Sequence, residues 1–361
     1  MRTIAIIGAP GFIGTRLVEV FYLGGVARVR PIVRQFTSLA RLSRFELDCR
    51  MADARDEAAL TKAFEGCDAV VNAAIGDAQT IEGIIEPVWK ACVTARVRRL
   101  VYLSSGSVHG QAPAQGTDEM TPLSDQQWHW YNNAKVRAEW KLAELRKTGG
   151  VESVVLRPTI VFGPRSRWVW DTAKEIANGR ACLLEGGKGI CNTIYVDNLV
   201  NAIQLGIDKP TAAGKTFLVG DEETVTWRDF YAAICQHLNA VEPASVPARE
   251  MTAIREFSLV EKVRGISGMQ KVLPLIPDPL KRAVKGALSG WSEKEKPSPW
   301  RLRQAGSIEL SSEMNALQQC QWRLPHKRAA EELGYRAPVS FEEGMRRSLA
   351  WLDFAGFNLA R

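Results

Sequence analysis

The sequence predicts an α/β fold, a doubly wound parallel sheet with a smaller mixed α/β lobe, and three observations predict it. An apolar run from Thr3 to Ile7 ends directly in a glycine-spaced turn, Gly8-Ala9-Pro10-Gly11-Phe12-Ile13-Gly14. Strand-length apolar segments then alternate with helical spacing, the pattern of strands buried on both faces and joined by crossover helices. Finally, 46% of the 361 residues are hydrophobic, enough to bury a large core.

Taken in order, Thr3 to Ile7 is the first strand, and Phe12 to Tyr22 carries helical spacing until Gly24-Gly25 stops it. Val26 to Val33 reads as a second strand, although Pro31 removes a ladder donor from its middle. Glu46 to Met51 is a weak third strand and Asp56 to Phe64 a helix ended by Gly66. Ala69 to Ala73 and Leu100 to Leu103 are strands separated by a helix near Ile81 to Arg96. A long helix from Trp130 to Lys147 closes at Gly149-Gly150, and Glu152 to Leu156 supplies another strand. Beyond Arg157-Pro158 the regularity weakens into a helix near Asp171 to Asn178, a strand near Cys191 to Val196, a helix near Asn198 to Ile207 and a strand Thr216 to Val219. Thr226 then starts a helix from Trp227 to Leu238, with Asp229 as the shorter acid of a capping box.

No stretch reaches the ~18 consecutive apolar residues of a membrane span, and Gly8 and Pro10 break the first strand too early for a signal peptide. Seven scattered cysteines without Cys-x-x-Cys spacing, and four dispersed histidines, predict a reducing cytoplasm and no structural metal. The formal charge is +7, most of it from residues 249 to 303, where twelve lysines and arginines face six acids. Aromatic rings are sparse there, limited to Phe257, Trp291 and Trp300, and no nucleic-acid module accompanies them, so nucleic acid is not an expected partner. A solvated face is the simplest reading of that charge, ahead of an anionic substrate or peripheral contact of 250–303 with an acidic membrane.

The glycine turn has the form that brings a backbone close to a pyrophosphate while a helix aims its free N–H groups at the anion. In that reading Gly8 makes the turn, Gly11 allows close approach and Gly14 lets helix pack on strand. The position that meets the adenosine ribose, at the end of the second strand, holds Arg34, with no acid before Glu46. A base there suits a 2′-phosphate, so NADP is favoured over NAD. Asp53 is placed either to accept from the adenine amino group or to cap the next helix.

Tyr131 and Lys135 lie four residues apart on one predicted helix, so the two side chains share a face. A phenol is a poor base at pH 7, and an adjacent ammonium favours its ionised form. Ser105, at the end of the fifth strand in Leu103-Ser104-Ser105-Gly106-Ser107, is placed to hold a substrate oxygen. Together the three predict hydride chemistry at an alcohol or ketone, with Tyr131 as acid/base and Lys135 also available to ribose hydroxyls.

With these residues in place, the chain resembles an extended short-chain dehydrogenase/reductase of the NAD(P)-dependent epimerase/dehydratase family. The resemblance rests on Gly-Ala-Pro-Gly-Phe-Ile-Gly at 8–14, Val-Asn-Ala-Ala at 71–74, Val-Tyr-Leu-Ser-Ser-Gly-Ser-Val-His-Gly at 101–110, Tyr-Asn-Asn-Ala-Lys at 131–135 and Leu-Arg-Pro-Thr-Ile-Val-Phe-Gly-Pro at 156–164. It implies a Rossmann domain of 1–158 plus 196–219 and a substrate lobe of 159–195 plus 220–361. It also implies that Phe12, Ile13, Ala73 and Ala74 line the dinucleotide, that Pro158 and Val161 approach the nicotinamide, and that Ser105 is the catalytic Ser/Thr. Ser107, His109 and Arg165 are candidate substrate contacts, and a homodimer through the Tyr131 helix is the implied assembly.

Sugar-nucleotide dehydratases of that family follow the catalytic Thr with Asp-Glu, and Gly106-Ser107 stand here instead, so dehydration is not expected. The leading expectation is an oxidoreductase or epimerase acting on a nucleotide-linked sugar. One alternative is a membrane-peripheral dehydrogenase of a sterol-like or other hydrophobic alcohol, with Leu273, Leu275, Ile276 and Leu280 against the bilayer. Another is an NADP-sensing binding protein without turnover, although such proteins typically lose the tyrosine and lysine retained here.

Overall fold

The computed structural model describes residues 1–247 and 310–357. In chain order its strands are β1 (Thr3–Ile7), β2 (Arg28–Val33), β3 (Arg50–Met51), β4 (Ala69–Asn72), β5 (Arg99–Leu103), β6 (Glu152–Pro158), β7 (Ile160–Phe162), β8 (Cys182–Leu184), β9 (Thr193–Tyr195), β10 (Thr216–Val219) and β11 (Ala244–Val246). Its α-helices are α1 (Phe12–Leu23), α2 (Glu57–Phe64), α3 (Ala78–Gly83), α4 (Ile85–Thr94), α5 (Trp130–Arg146), α6 (Arg167–Ala177), α7 (Val196–Asp208), α8 (Trp227–Leu238), α9 (Ser312–Gln318), α10 (Lys327–Leu333) and α11 (Phe341–Phe354).

Seven strands make one parallel sheet in the order β10-β6-β5-β4-β1-β2-β3, so the strand order reverses between β1 and β4. Alternation along each strand serves both faces. Ile4 and Ile6 of β1 join Val101 and Leu103 of β5 in a core under α1 and α7. Ala5 and Ile7 join Leu100 and Tyr102 in a core under α2, α4 and α5. Each fully buried Ile or Leu in these layers contributes about 1.5–3 kcal/mol. A third core, around Phe162, Tyr195, Trp227 and Phe230, belongs to the part of the chain with two small parallel pairs, β7 with β9 and β8 with β11.

Several boundaries differ from the sequence reading for local reasons. β2 runs unbroken through Pro31, because β3 pairs only with Ile32 and Val33 and the missing donor interrupts no bond on that side. The third strand shrinks to Arg50–Met51. The single helix expected from Ile81 to Arg96 is two, α3 and α4, because Pro87 lacks an N–H and crowds the carbonyl four residues earlier, at Gly83. Ile160–Phe162 was not anticipated, since a three-residue strand beside Pro158 carries almost no periodic signal. By contrast, the Thr226–Asp229 capping box is complete, with both reciprocal bonds formed.

Among the described residues no helix is long and apolar enough to cross a membrane. The basic segment 249–303, with Leu273, Leu275, Ile276 and Leu280, lies outside the described residues.

Candidate active site

The turn after β1 is shaped by two glycines whose hydrogens cannot be replaced. Gly8 sits at φ +84°, and a Cβ there would meet the Ala73 carbonyl oxygen at 2.7 Å. A Cβ on Gly14 would meet the Gly8 carbonyl oxygen at 2.1 Å, so α1 rests directly on the turn. Gly11 caps α1 without a side-chain bond, which leaves the first-turn N–H groups for an acceptor from outside the helix. This cradle fits the pyrophosphate of a dinucleotide. It opens into a cleft of about 700 Å³ at the carboxyl ends of the strands, at the point where their order reverses.

Phe12, Ile13, Ala73, Ala74, Pro158 and Val161 line that cleft, and so do Gly11, Gly14, Ser105, Ser107, Tyr131, Lys135 and Arg165. Gly8 supports it from behind through its contact with Ala73. Arg34, Asp53 and His109 stand outside the lining.

Three elements bring the phenol, amine and hydroxyl together. β5 ends at Leu103, and Ser105 caps the 3₁₀ turn Gly106–His109 by accepting from Ser107 N at 3.1 Å. Its Oγ lies 2.8 Å from Ser107 Oγ. Tyr131, in the first turn of α5, lies close enough to Ser105 for that hydroxyl to lower its pKa. Burial pushes the phenol up to about 12, the Ser105 hydroxyl pulls it back, and the Glu313 carboxylate adds to the rise. The lowering expected from Lys135 does not dominate here, because a phenolate loses more by leaving water than its surroundings return.

One helical turn on, Lys135 is buried at 3% exposure. Its Nζ donates to the Leu103 carbonyl at 2.8 Å, lies 3.4 Å from Tyr102 Oη, and stands 5.9 Å from the Tyr131 ring centre. Burial lowers its pKa to about 8, against the Glu139 charge, which raises it.

Glu139, a further turn along α5, opens a buried layer that sequence reading missed. Arg157 Nη2 donates to it at 2.6 Å and Nε at 3.0 Å, and Ser104 Oγ donates to the same carboxylate. Arg157 also reaches His109 Nε2 at 3.1 Å and the Glu119 carbonyl at 3.2 Å. A guanidinium cannot accept, so His109 accepts at Nε2 and carries its proton on Nδ1. Burial and then the Arg157 charge pull His109 down to about 4. His109 therefore packs against Arg157 and lies outside the cleft lining.

Arg165 lines the cleft at φ +74° and donates to Glu19 at 3.0 Å, a carboxylate that Arg44 also holds at 2.8 Å. Arg34 is exposed at the end of β2 and close enough to Asp53 to depress its carboxyl. Asp53 is held chiefly by Arg55, which brings it down to about 2, and Asp56 rather than Asp53 caps α2. Glu313 of α9, together with Trp168 of α6, also lines the cleft. Nothing at sequence level linked position 313 to position 131, whereas Glu139 sits four residues after Lys135 and its helical spacing was visible.

The family model for the NAD dependent epimerase/dehydratase family matches residues 4–220. An Escherichia coli O157:H7 protein, N-acetyl-alpha-D-glucosaminyl-diphospho-ditrans,octacis-undecaprenol 4-epimerase, is 25% identical over 67% of this chain and 74% of its own. The 2-alkyl-3-oxoalkanoate reductase of Shewanella oneidensis is 23% identical over 96% of this chain and 85% of its own. The crystal structure of UDP-glucuronic acid 4-epimerase from Bacillus cereus, in complex with UDP-glucuronic acid and NAD, shares the fold with a TM-score of 0.69. It is 14% identical and covers 98% of this chain and 99% of its own. The glycine cradle and the sheet of reversed order lie within the matched segment, and the chain belongs to the NAD dependent epimerase/dehydratase family, oxidoreductases and epimerases of the short-chain dehydrogenase/reductase type.

Proposed function

We propose that this chain transfers hydride between a nicotinamide dinucleotide and a secondary alcohol or ketone with an apolar body, using Tyr131 as acid/base. The observation that carries the reading is the convergence of Ser105, Tyr131 and Lys135 on one cleft with the glycine cradle. The dinucleotide, when bound, supplies the hydride acceptor or donor. Ser105 holds the substrate oxygen beside the phenol; Tyr131 takes the alcohol proton or returns it to the ketone. Lys135, fixed by the Leu103 carbonyl, stands beside the phenol and offers donors to ribose hydroxyls. Arg34, with no acid beside it on β2, supports NADP as the preferred dinucleotide.

Trp130, Ile160, Trp168, Ile190, Leu317 and Leu324 wall the cleft beyond the trio, and this favours the apolar body. A nucleotide-linked sugar is the second reading. Arg165 and Arg167 on the cleft support it, although Arg165 is held by Glu19, and Arg167 lies 3.4 Å from Asp171. Turnover of NADP with 1-phenylethanol and of NADPH with acetophenone, set against UDP-glucose and UDP-glucuronic acid, separates the two. Tyr131→Phe abolishes turnover while NADPH still binds; a parent that binds NADPH yet turns over no more than that variant favours the sensor alternative instead.

A further inference from the structure

The cleft does not end at its apolar wall. A second cavity of about 320 Å³ adjoins it, and Arg167, Trp168 and Glu313 line both. Glu313 thus stands at the junction, and its charge reaches the Tyr131 phenol. Its side chain is 36% exposed, and its ion-pair partner among the described residues is His129, with Nε2 4.0 Å from Oε1, longer than a hydrogen bond. His129 is the residue before α5 and lines the same cleft, its ring stacked on Trp130 at 17° and 6.2 Å between centres.

A ligand reaching this junction covers the exposed part of Glu313. A carboxylate stripped of water without a compensating donor is costly, and beside a second anion it is worse. An ammonium or hydroxyl restores the lost bonds, and an ammonium gains further from indole rings nearby. Trp168 at the junction and Trp130 on the cleft supply those rings.

We propose that Glu313 is a specificity-determining residue that selects, within the apolar-bodied alcohols and ketones, those carrying a hydrogen-bond-donating group, an ammonium or hydroxyl, at the end remote from the reacting carbon. The inference rests on the hydride-transfer reading for the orientation of the substrate, not for the selection itself.

The test is equilibrium binding to the full chain saturated with NADP, which cannot reduce a ketone, read by isothermal titration calorimetry. Its three probes share one body: 4-(aminomethyl)acetophenone, acetophenone and 4-acetylbenzoate. The expected order is the ammonium ketone tightest, the neutral one weaker by about 5- to 10-fold, the carboxylate weakest. Glu313→Gln brings the three affinities together, and Glu313→Lys places the carboxylate first. No binding by any probe, no such order, or an order that Glu313→Gln leaves unchanged overturns the proposal. Oxidation of NADPH is followed in parallel samples with the same ketones: ordered binding without turnover keeps the assignment of Glu313 and removes the hydride-transfer reading.

Discussion

Lys135 Nζ donates to the carbonyl of Leu103 at 2.8 Å, which ties α5 to the last residue of β5 and sets the amine 5.9 Å from the Tyr131 ring centre. Burial moves the two groups in opposite directions, the lysine down to about 8 and the phenol up to about 12.

The pH dependence of alcohol oxidation follows. At low pH both groups are protonated, and the pair cannot take a proton from an alcohol. As pH rises through about 8 the lysine loses its proton, and the neutral amine can then take the phenol's proton as Tyr131 takes the alcohol's. The kcat/KM for 1-phenylethanol oxidation therefore climbs with pH and levels off above that value. In Lys135→Met only the phenol remains, and the limb moves toward about 12. At pH 8 the loss in rate is about 10²–10⁴-fold. A limb that stays in place in Lys135→Met refutes the pairing.

Beneath the trio, Arg157 and Glu139 are 4% and 8% exposed, with Nη2 2.6 Å from the carboxylate. Removing one partner leaves a buried charge that costs about 3–5 kcal/mol, whereas removing both exchanges the pair for packing. Urea denaturation of Arg157→Met, Glu139→Leu and the double variant is expected to show the double losing less stability than the sum of the singles. Simple additivity would mean that the pair is not coupled.

The glycine turn gives a steric prediction. A methyl on Gly14 has nowhere to go at 2.1 Å from the Gly8 carbonyl oxygen, since the obstacle is backbone. Gly14→Ala must shift α1 from the turn, moving the first-turn N–H groups off the pyrophosphate. NADPH affinity is expected to fall at least about 10-fold, one lost charge-assisted hydrogen bond, while Gly66→Ala, at φ +70° in open space, costs stability alone. Unchanged NADPH binding in Gly14→Ala would place the dinucleotide elsewhere.

What the sequence shows and what it hides divide along physical lines. The trio and the cradle were legible because local spacing produces them: Tyr131 and Lys135 by helical period, Gly8 and Gly14 by the strand-turn-helix junction. Arg157 stood in a recognised motif, but a buried ion pair has no sequence signature until α5 and β6 are laid side by side. Glu313 was invisible for a stronger reason, since 182 positions separate it from Tyr131 and tertiary packing alone brings them to one cleft. Pro87 could have been read, because an interior proline splits a helix wherever the period continues past it.

On the proposed reading, Arg34 decides between the two dinucleotides. It is exposed at the end of β2 and makes no hydrogen bond with the other described residues, although Asp53 lies within its field and is held down to about 2 mainly by Arg55. A 2′-phosphate would supply the charge-assisted bonds that the guanidinium lacks, worth about 1.5–3 kcal/mol, or about 10- to 150-fold in affinity. A ribose 2′-hydroxyl draws little from the same group. Arg34→Glu reverses both effects, repelling the phosphate and accepting from the hydroxyl. Fluorescence titration with NADPH and NADH is therefore expected to show preference for NADPH in the parent and for NADH in Arg34→Glu. A ratio of the two dissociation constants that does not move between the proteins removes Arg34 from the ribose site and with it the case for NADP.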